Sequence, residues 1–478
     1  VLLEHILLQR SCTVNKPNIL FLFADDQRFD TIGALSNSRI MTPNMDKLVA
    51  AGTAFTHAHI PSGTSAAICM PSRAMLHTGR TLFHIQNEGQ EIPPEHTTMG
   101  EAFGQAGYRT FGIGKWHNGP SAFSRSFSDG KSIFFGGMWD HWNVPLNHYD
   151  PTGTYDNEIP FIHNHRQSNH AMNTHCDYFS AGKHSSELFS QCAVDYIQQY
   201  DSEDPFFLYV AYLAPHDPRS MPKKFREMYN PEDIKLPVNF MEEHPFLFGV
   251  ENIRDETLAP YPRPEAEIKQ HIAEYYAMIT HLDSEIGRVL EALEQSGKAD
   301  NTIVVLAGDN GLAVGRHGLM GKQNHYEHSI RVPFVMRGPG VPAGQRRSQF
   351  VYLLDIFPTL CELTGTSISE SVEGRSLVPV LSQPDAPHRD TLFFAYTDSI
   401  RSVKNDRYKL IEYADTRMTQ LFDLQEDPSE LNNLYGKPEA ATLASELRQL
   451  LARYRDEWND RDHRFGQSFW SKVDLEQA

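Results

Sequence analysis

The sequence predicts an α/β protein in which a large, mostly parallel sheet lies between layers of helix, followed by a smaller antiparallel sheet with a helix packed on it. Three observations predict it: short apolar runs that end in ionisable residues, a long segment of helical period between them, and a change to short alternating segments towards the C-terminus. The 478 residues, 40% hydrophobic and without a low-complexity tract, suffice for a large buried core.

The first run, NILFLFA from Asn18 to Ala24, stops at Asp25 and Asp26. YRTFGIGKWH stops at Lys115 and His117, PFFLYVAYLAPHDP gives way to His216, and NTIVVLAGDNG to Asp309 and Asn310. Any one of these reads equally well as a buried strand leaving the core through a solvated turn. The shared habit fits an open α/β sheet, where ligands gather beyond the carboxyl ends of the strands. Unbroken hydrophobicity fits strands covered on both faces. Ile268, Ile272, Tyr276, Ile279, Leu282, Ile286, Val289 and Leu293 follow a 4-4-3-3-4-3-4 spacing ended by Gly297, which predicts one long amphipathic helix whose stripe is core. After LLDIFPTLCELTG the segments TLFFAY, RSVKND, YKLIEY and TQLFDL predict a small antiparallel sheet, and Leu443, Leu447, Leu450 and Tyr454 a closing helix. The boundary is expected near residue 375, giving a larger α/β domain, 1–375, and a smaller α+β one, 376–478.

Composition narrows the partners. A net charge of −18 argues against nucleic acid, and an anionic small substrate would need a local basic cluster. No run approaches the roughly 18 apolar residues of a membrane span. The opening VLLEHILLQR has neither an initiator methionine nor a clear cleavage pattern, which fits a signal peptide already removed and leaves export open. Five scattered cysteines, Cys12, Cys69, Cys176, Cys192 and Cys361, without C-x-x-C spacing, indicate neither a disulfide framework nor a zinc site.

The stretch ICMPSRAMLHTGR, Ile68 to Arg80, holds the most chemistry. Pro71 fits the first position of a helix, which sets Cys69 at or just outside the helix N-terminus, where partial positive charge favours an anion. Arg73, one turn along, lies on the same side and adds a fixed charge with several donors. A lone cysteine ordinarily reads as a buried structural thiol. The Pro-Ser-Arg context argues otherwise.

Cys-x-Pro-Ser-Arg followed by Thr78, Gly79 and Arg80 resembles the signature of the type I, formylglycine-dependent sulfatases of the alkaline phosphatase-like superfamily. PNILFLFADDQ, GIGKWHNG, APHDP, AGDNG and GLMGKQNHYEHSIRVP resemble that family's further motifs in order, and LFDLQEDPSELNNL its C-terminal strand and turn. His77 departs from the pattern, where an aliphatic residue is usual, and is expected to affect packing more than chemistry. The resemblance implies a large mixed sheet sandwiched by helices and a cysteine, Cys69, that a separate maturing enzyme oxidises to formylglycine. The hydrated aldehyde would attack sulfur, release the alcohol, and collapse to expel sulfate. Asp25, Asp26, Asp309 and Asn310 would bind one divalent cation; such hard oxygen ligands favour Ca²⁺ first and Mg²⁺ second over zinc. Alone, each of these pairs reads as a turn or helix cap. Lys115, His117, His216 and Lys322 would surround the sulfate, stabilising charge that develops on the leaving oxygen. His216, Lys322 or both would protonate that oxygen, and His117 would help remove a diol proton. A lysine in isolation reads as surface solvation.

Two segments bear on substrate choice. GGMWDHWNVPLNHYDPTGTY, Gly136 to Tyr155, concentrates Trp139, Asp140, His141, Trp142, His148 and Tyr149, and IHNHRQSNHAMNTHC continues the histidine excess. Aromatic faces on loops suit a sugar ring, or else the insertion packs on itself. GRHGLMGK sets Arg316 and His317 near Lys322, and with Asp140 and His141 they are the candidate substrate contacts. The expectation is a sulfatase acting on a sulfated carbohydrate outside the cytoplasm, in the periplasm or secreted. The rivals are a phosphodiesterase or phosphonate monoester hydrolase, and an inactive sulfated-glycan binding protein.

Overall fold

The computed structural model describes residues 16–35, 37, 39–162, 164 and 166–473. The opening VLLEHILLQR, Cys12, and His163 and His165 of the histidine-rich segment lie outside the described residues.

Eight strands form the main sheet: β1 (Asn18–Ala24), β2 (Thr53–Phe55), β3 (Arg109–Lys115), β4 (Asp129–Phe134), β5 (Phe206–Ala211), β6 (Thr302–Gly308), β7 (Phe334–Arg337) and β8 (Gln345–Arg347). Their order in space is β8-β2-β7-β6-β1-β5-β3-β4. β1 runs parallel to both neighbours, Ile19 facing Phe207 on one side and Ile303 on the other. Only β7 runs against its neighbours among these strands. The sheet is therefore mixed and mostly parallel, and β1, β3, β5 and β6 all deliver their carboxyl ends to one edge.

Every residue of β1 is buried. Strand alternation sends Ile19, Phe21 and Phe23 into one core and Leu20, Leu22 and Ala24 into the other, so both faces must be covered. The helix α1 (Cys69–Thr78) lies in the first core, and Met75 and Leu76 fill it. The helices α2 (Ser185–Gln199) and α3 (Glu265–Gln295) cover the second. In α3 every residue of the predicted stripe, Ile268 to Leu293, is buried.

The strands Leu392–Tyr396, Ile400–Lys404, Tyr408–Tyr413 and Met418–Asp423 form an antiparallel meander, and the helix Ala441–Glu457 packs on it through Leu447 and Leu451. These strands do not show one solvated face. Leu392–Tyr396 and Ile400–Lys404 are buried throughout, because the helix covers one side and the first core the other. A fifth strand joins from far upstream: Ser62–Gly63 pairs in parallel with Leu392–Tyr396, through Ala395 opposite Ser62. The C-terminal sheet thus grips the chain a few residues before Cys69. Among the described residues no helix is long and apolar enough to cross a membrane.

Candidate active site

The helix α1 begins at Cys69 itself, so Pro71 lies inside its first turn rather than opening it. Nothing is lost, since the first four helical N–H groups have no partner within the helix. The Ser72 hydroxyl donates to the Asp309 carbonyl at 2.6 Å, tying α1 to the end of β6. Arg73 holds the Asp309 carboxylate from Nε and Nη2, both at 2.9 Å, and donates from Nη1 to the Lys115 carbonyl at 3.0 Å. One guanidinium thereby joins the ends of β6 and β3 beneath Cys69, a use of the planar fork that lysine could not copy.

Lys115 reaches the site because the backbone just before it is unusual. Gly114 has φ +85° where the β3–β4 register shifts, and a Cβ there would meet the Ala211 carbonyl at 2.0 Å. The Lys115 ammonium rests on Asp25 and on the Gly137 carbonyl, 3.6 Å from the Cys69 sulfur. His117, also at positive φ, brings Nδ1 to 3.5 Å from the same sulfur. Burial, reinforced by Lys115 and Arg73, holds its imidazole well below the ordinary histidine range. Burial pushes the Cys69 thiol up, so the thiol itself is a poor nucleophile.

The acidic residues converge as the strand ends require. Ligand-type atoms of Asp25, Cys69 and Asp309 lie within 4.8 Å of one another, as do those of Asp26, His216 and Asp217. Asp26, at φ 62°, donates from its N–H to Asp309 at 3.0 Å, and its carboxylate accepts from Lys322 at 2.5 Å and from the Asn310 amide at 2.6 Å. Burial opposes the charge on Lys322, yet Asp26 and its other neighbours raise its pKa well above the usual value. Burial and the charge of Asp309 push Asp25 up, whereas Arg73 and Lys115 overcome burial at Asp309 and pull it down. Asp25 Oδ1 and Asn310 Oδ1 are buried without a hydrogen-bond partner. Two orphaned oxygens beside the Asp26 and Asp309 carboxylates, all hard donors, fit a hard divalent cation. His216 faces Asp26 with Nε2 at 3.6 Å, while its Nδ1 donates to the Asp217 carbonyl at 2.9 Å.

Of the sequence-predicted residues, Cys69, Arg73, Lys115, His117, His216, Lys322, Asp25, Asp26, Asp309 and Asn310 therefore meet in one cluster, buried but for the half-buried His117. The four candidate substrate contacts have other surroundings. Asp140 is exposed and caps the turn at Trp142. Arg316 donates to Asp30 at 2.5 Å and borders a cavity of about 360 Å³ with Arg28, Arg39 and Lys235. His317 is buried, stacked on Tyr326 with ring centroids 3.9 Å apart and bonded to Asn239. His141 is buried beneath the site, between Ser185 and the His216 carbonyl. His77 packs against Trp116 and Tyr209 with neither ring nitrogen hydrogen-bonded, and burial lowers its pKa to about 3.

Sequence reasoning missed several supports. The Tyr275 hydroxyl donates to the Asp26 carbonyl at 2.5 Å and accepts from the Arg28 N–H at 2.9 Å. Tyr275 lies one residue off the α3 stripe, and nothing in the sequence marks it. Asp217 sits within the quoted APHDP and holds the Arg254 guanidinium at the rim of the site, so adjacency to His216 was a usable signal. Gly137 acts through its carbonyl, which no side-chain pattern reveals.

The fold is that of the alkaline phosphatase-like class, and its strand ends gather Cys69 between fixed cations and an acidic cluster able to hold a metal ion. The family model for sulfatase matches residues 17–366, and the chain belongs to that family of sulfuric ester hydrolases. A second model, N-sulphoglucosamine sulphohydrolase C-terminal, matches residues 315–457. An arylsulfatase of Clostridium perfringens is 30% identical over 92% of this chain and 94% of its own. An ulvan-active sulfatase of Formosa agariphila is 30% identical over 94% of this chain and 83% of its own. A solved structure in complex with its substrate D-glucosamine-2-N,6-O-disulfate has a TM-score of 0.75 at 23% identity, covering 94% of this chain and 99% of that one. The phosphonate monoester hydrolase of Agrobacterium radiobacter shares the fold, with a TM-score of 0.72 at 22% identity over 93% of this chain and 96% of that one.

Proposed function

We propose that this chain removes O-sulfate groups from an oligo- or polysaccharide, with residue 69 in its formylglycine form supplying the attacking oxygen. The observation that carries the reading is the convergence of Arg73, Lys115 and Lys322 on Cys69 and the acidic cluster. The Cys69 sulfur stands where an oxygen of the converted side chain would sit. A sulfate ester brings one negative charge and its leaving oxygen develops another, so preformed cations stabilise the transition state more than the ground state. Lys115 and Lys322 hold the sulfuryl oxygens, His216 gives its Nε2 proton to the leaving oxygen, and His117 takes a proton from residue 69. Asp25, Asp26, Asp309 and Asn310 would hold a divalent cation, Ca²⁺ before Mg²⁺, and that ion would supply Lewis acidity beside the sulfate.

The carbohydrate reading draws on the ulvan-active relative and on Trp139, which lies half-buried against Phe161 and Phe179 just beyond Gly137. An enzyme that strips a polymer works where the polymer is, which favours the periplasm or secretion, and formylglycine requires a maturing enzyme as partner. The phosphonate hydrolase neighbour makes phosphonate and phosphodiester cleavage the competing activity. The experiment is sulfate release from defined sulfated oligosaccharides beside matched phosphodiesters and phosphonate monoesters, before and after chelation. Sulfate turnover that chelation abolishes and Ca²⁺ restores is expected. Preferential phosphodiester or phosphonate cleavage would overturn the sulfate reading.

A further inference from the structure

His141 is buried and makes two hydrogen bonds of opposite sense. Its Nε2 lies 2.9 Å from the His216 carbonyl oxygen, and its Nδ1 lies 2.7 Å from the Ser185 hydroxyl. A carbonyl only accepts, so Nε2 carries the hydrogen and Nδ1 accepts from Ser185. Burial lowers the His141 pKa to about 4, which leaves the ring neutral near pH 7 and able to play both roles. Ser185 is the first residue of α2, and its backbone N–H also donates to the His141 carbonyl at 2.8 Å. The His184 ring stacks on that of His141 with centroids 4.8 Å apart and planes 3° from parallel. His184 is itself fixed, because it caps α2 through Ser186 and bonds the Ser220 carbonyl. The His141 ring is therefore held on Nδ1 and on one face by the start of α2, and on Nε2 by the His216 carbonyl.

We infer that His141, oriented by Ser185, is a positioning residue that fixes His216 for proton delivery to the leaving oxygen. The inference rests on the reading of His216 as proton donor. His216 Nδ1 keeps its hydrogen on the Asp217 carbonyl, so Nε2 is the nitrogen that exchanges a proton with substrate, and the ring delivers that proton as the imidazolium and is left neutral. As the bond between sulfur and the leaving oxygen breaks, its electron pair stays on that oxygen and the Nε2 proton passes to it, while the oxygen on residue 69 bonds to sulfur. Such a transfer depends on the donor's position to within a fraction of an ångström. The His216 backbone has its N–H bonded to the Leu213 carbonyl and its own carbonyl bonded to His141. The segment that carries His141 also carries Gly137, whose carbonyl accepts from Lys115, so one loop spaces the sulfate-binding lysine from the proton donor.

The test is the dependence of kcat on leaving group across substituted phenyl sulfates, from 4-nitrophenyl to 4-methoxyphenyl. Proton delivery matters little for a good leaving group and much for a poor one. His216→Ala should steepen the dependence, with about 100-fold or greater loss at the poor end. His141→Ala should steepen it in the same sense, with about tenfold loss at the poor end and less than about threefold for 4-nitrophenyl sulfate. His141→Gln, which keeps an N–H donor, should recover most of this, and Ser185→Ala should show a weaker form. If His216→Ala steepens the dependence and neither His141→Ala nor Ser185→Ala does, the positioning role is overturned while the proton-donor reading stands. If His216→Ala leaves the slope unchanged, the proton-donor reading falls and takes the inference with it. Ser185→Ala keeps the test decisive should His141→Ala fold poorly.

Discussion

Arg73 does more than balance charge, since it clamps Asp309, supports the Lys115 carbonyl and lies over the Phe23 ring at 4.9 Å. Removing it would strand a buried carboxylate. Arg73→Ala is expected to cost about 3–5 kcal/mol of stability, read by urea unfolding, whereas a loss under about 1 kcal/mol would mean that Asp309 finds another partner. Arg73→Lys is expected to fold and to lose about 100-fold in turnover, because an ammonium cannot hold Asp309 and the Lys115 carbonyl from one plane. This residue was legible, because Cys-x-Pro-Ser-Arg is a local motif and helical spacing carries Arg73 to the side of Cys69. His141 and His317, expected as substrate contacts, have rings bonded to buried partners, a feature the sequence does not carry: it marks a histidine near the chemistry but not which way its ring turns.

At the scale of elements, the end of α1 is held as firmly as its start. Gly79 closes the helix at φ 65°, and its carbonyl accepts from the N–H groups of Glu373 and Gly374, both at 2.9 Å. Glu373 accepts from the Thr81 N–H and hydroxyl at 2.7 Å and from His84 at 2.6 Å. Partial burial works to raise its pKa, but these donors outweigh burial and hold it at about 2. A depressed carboxyl stabilises the fold above its unfolded value, near 4.5, and loses that contribution as pH falls towards 2. Glu373→Gln should therefore cost about 1 kcal/mol at pH 7, with the gap to wild type narrowing as pH falls below about 4.5. Urea unfolding at several pH values measures the gap, and one that widened as pH fell from about 4.5 towards 2 would contradict the assignment. The strands and α3 were legible from periodicity, since a run of six apolar residues and a repeated three-four spacing leave few alternatives. The Glu373 tether was not, because it joins segments nearly three hundred residues apart with no pattern in either.

Across the whole molecule, the C-terminal sheet is wired into the segment that carries Lys322. Glu327 accepts from Lys404 at 2.7 Å and Lys409 at 3.1 Å, and its N–H donates to Glu430 at 2.9 Å. Burial would raise Glu327, but Lys404 and Lys409 overcome it and hold the carboxyl well below its usual range. Glu327→Gln should cost about 3 kcal/mol, because it leaves the buried Lys404 ammonium without its carboxylate and Lys409 with Glu430 alone. With Ser62–Gly63 completing the same sheet, we propose that the boundary near residue 375 separates patterns of sequence rather than independently folding units. A chain ending there is expected to be insoluble or unfolded by circular dichroism, and a cooperatively melting fragment would refute that. The meander was legible from its strand lengths, but its buried charges were not, since alternation alone assigns lysines such as Lys404 and Lys409 to solvent. One measurement bears most directly on the whole account: the mass of the peptide that carries residue 69, taken from natively produced protein that turns over sulfate esters. The account predicts an aldehyde in place of the thiol; active protein in which that residue is found only as cysteine would contradict it.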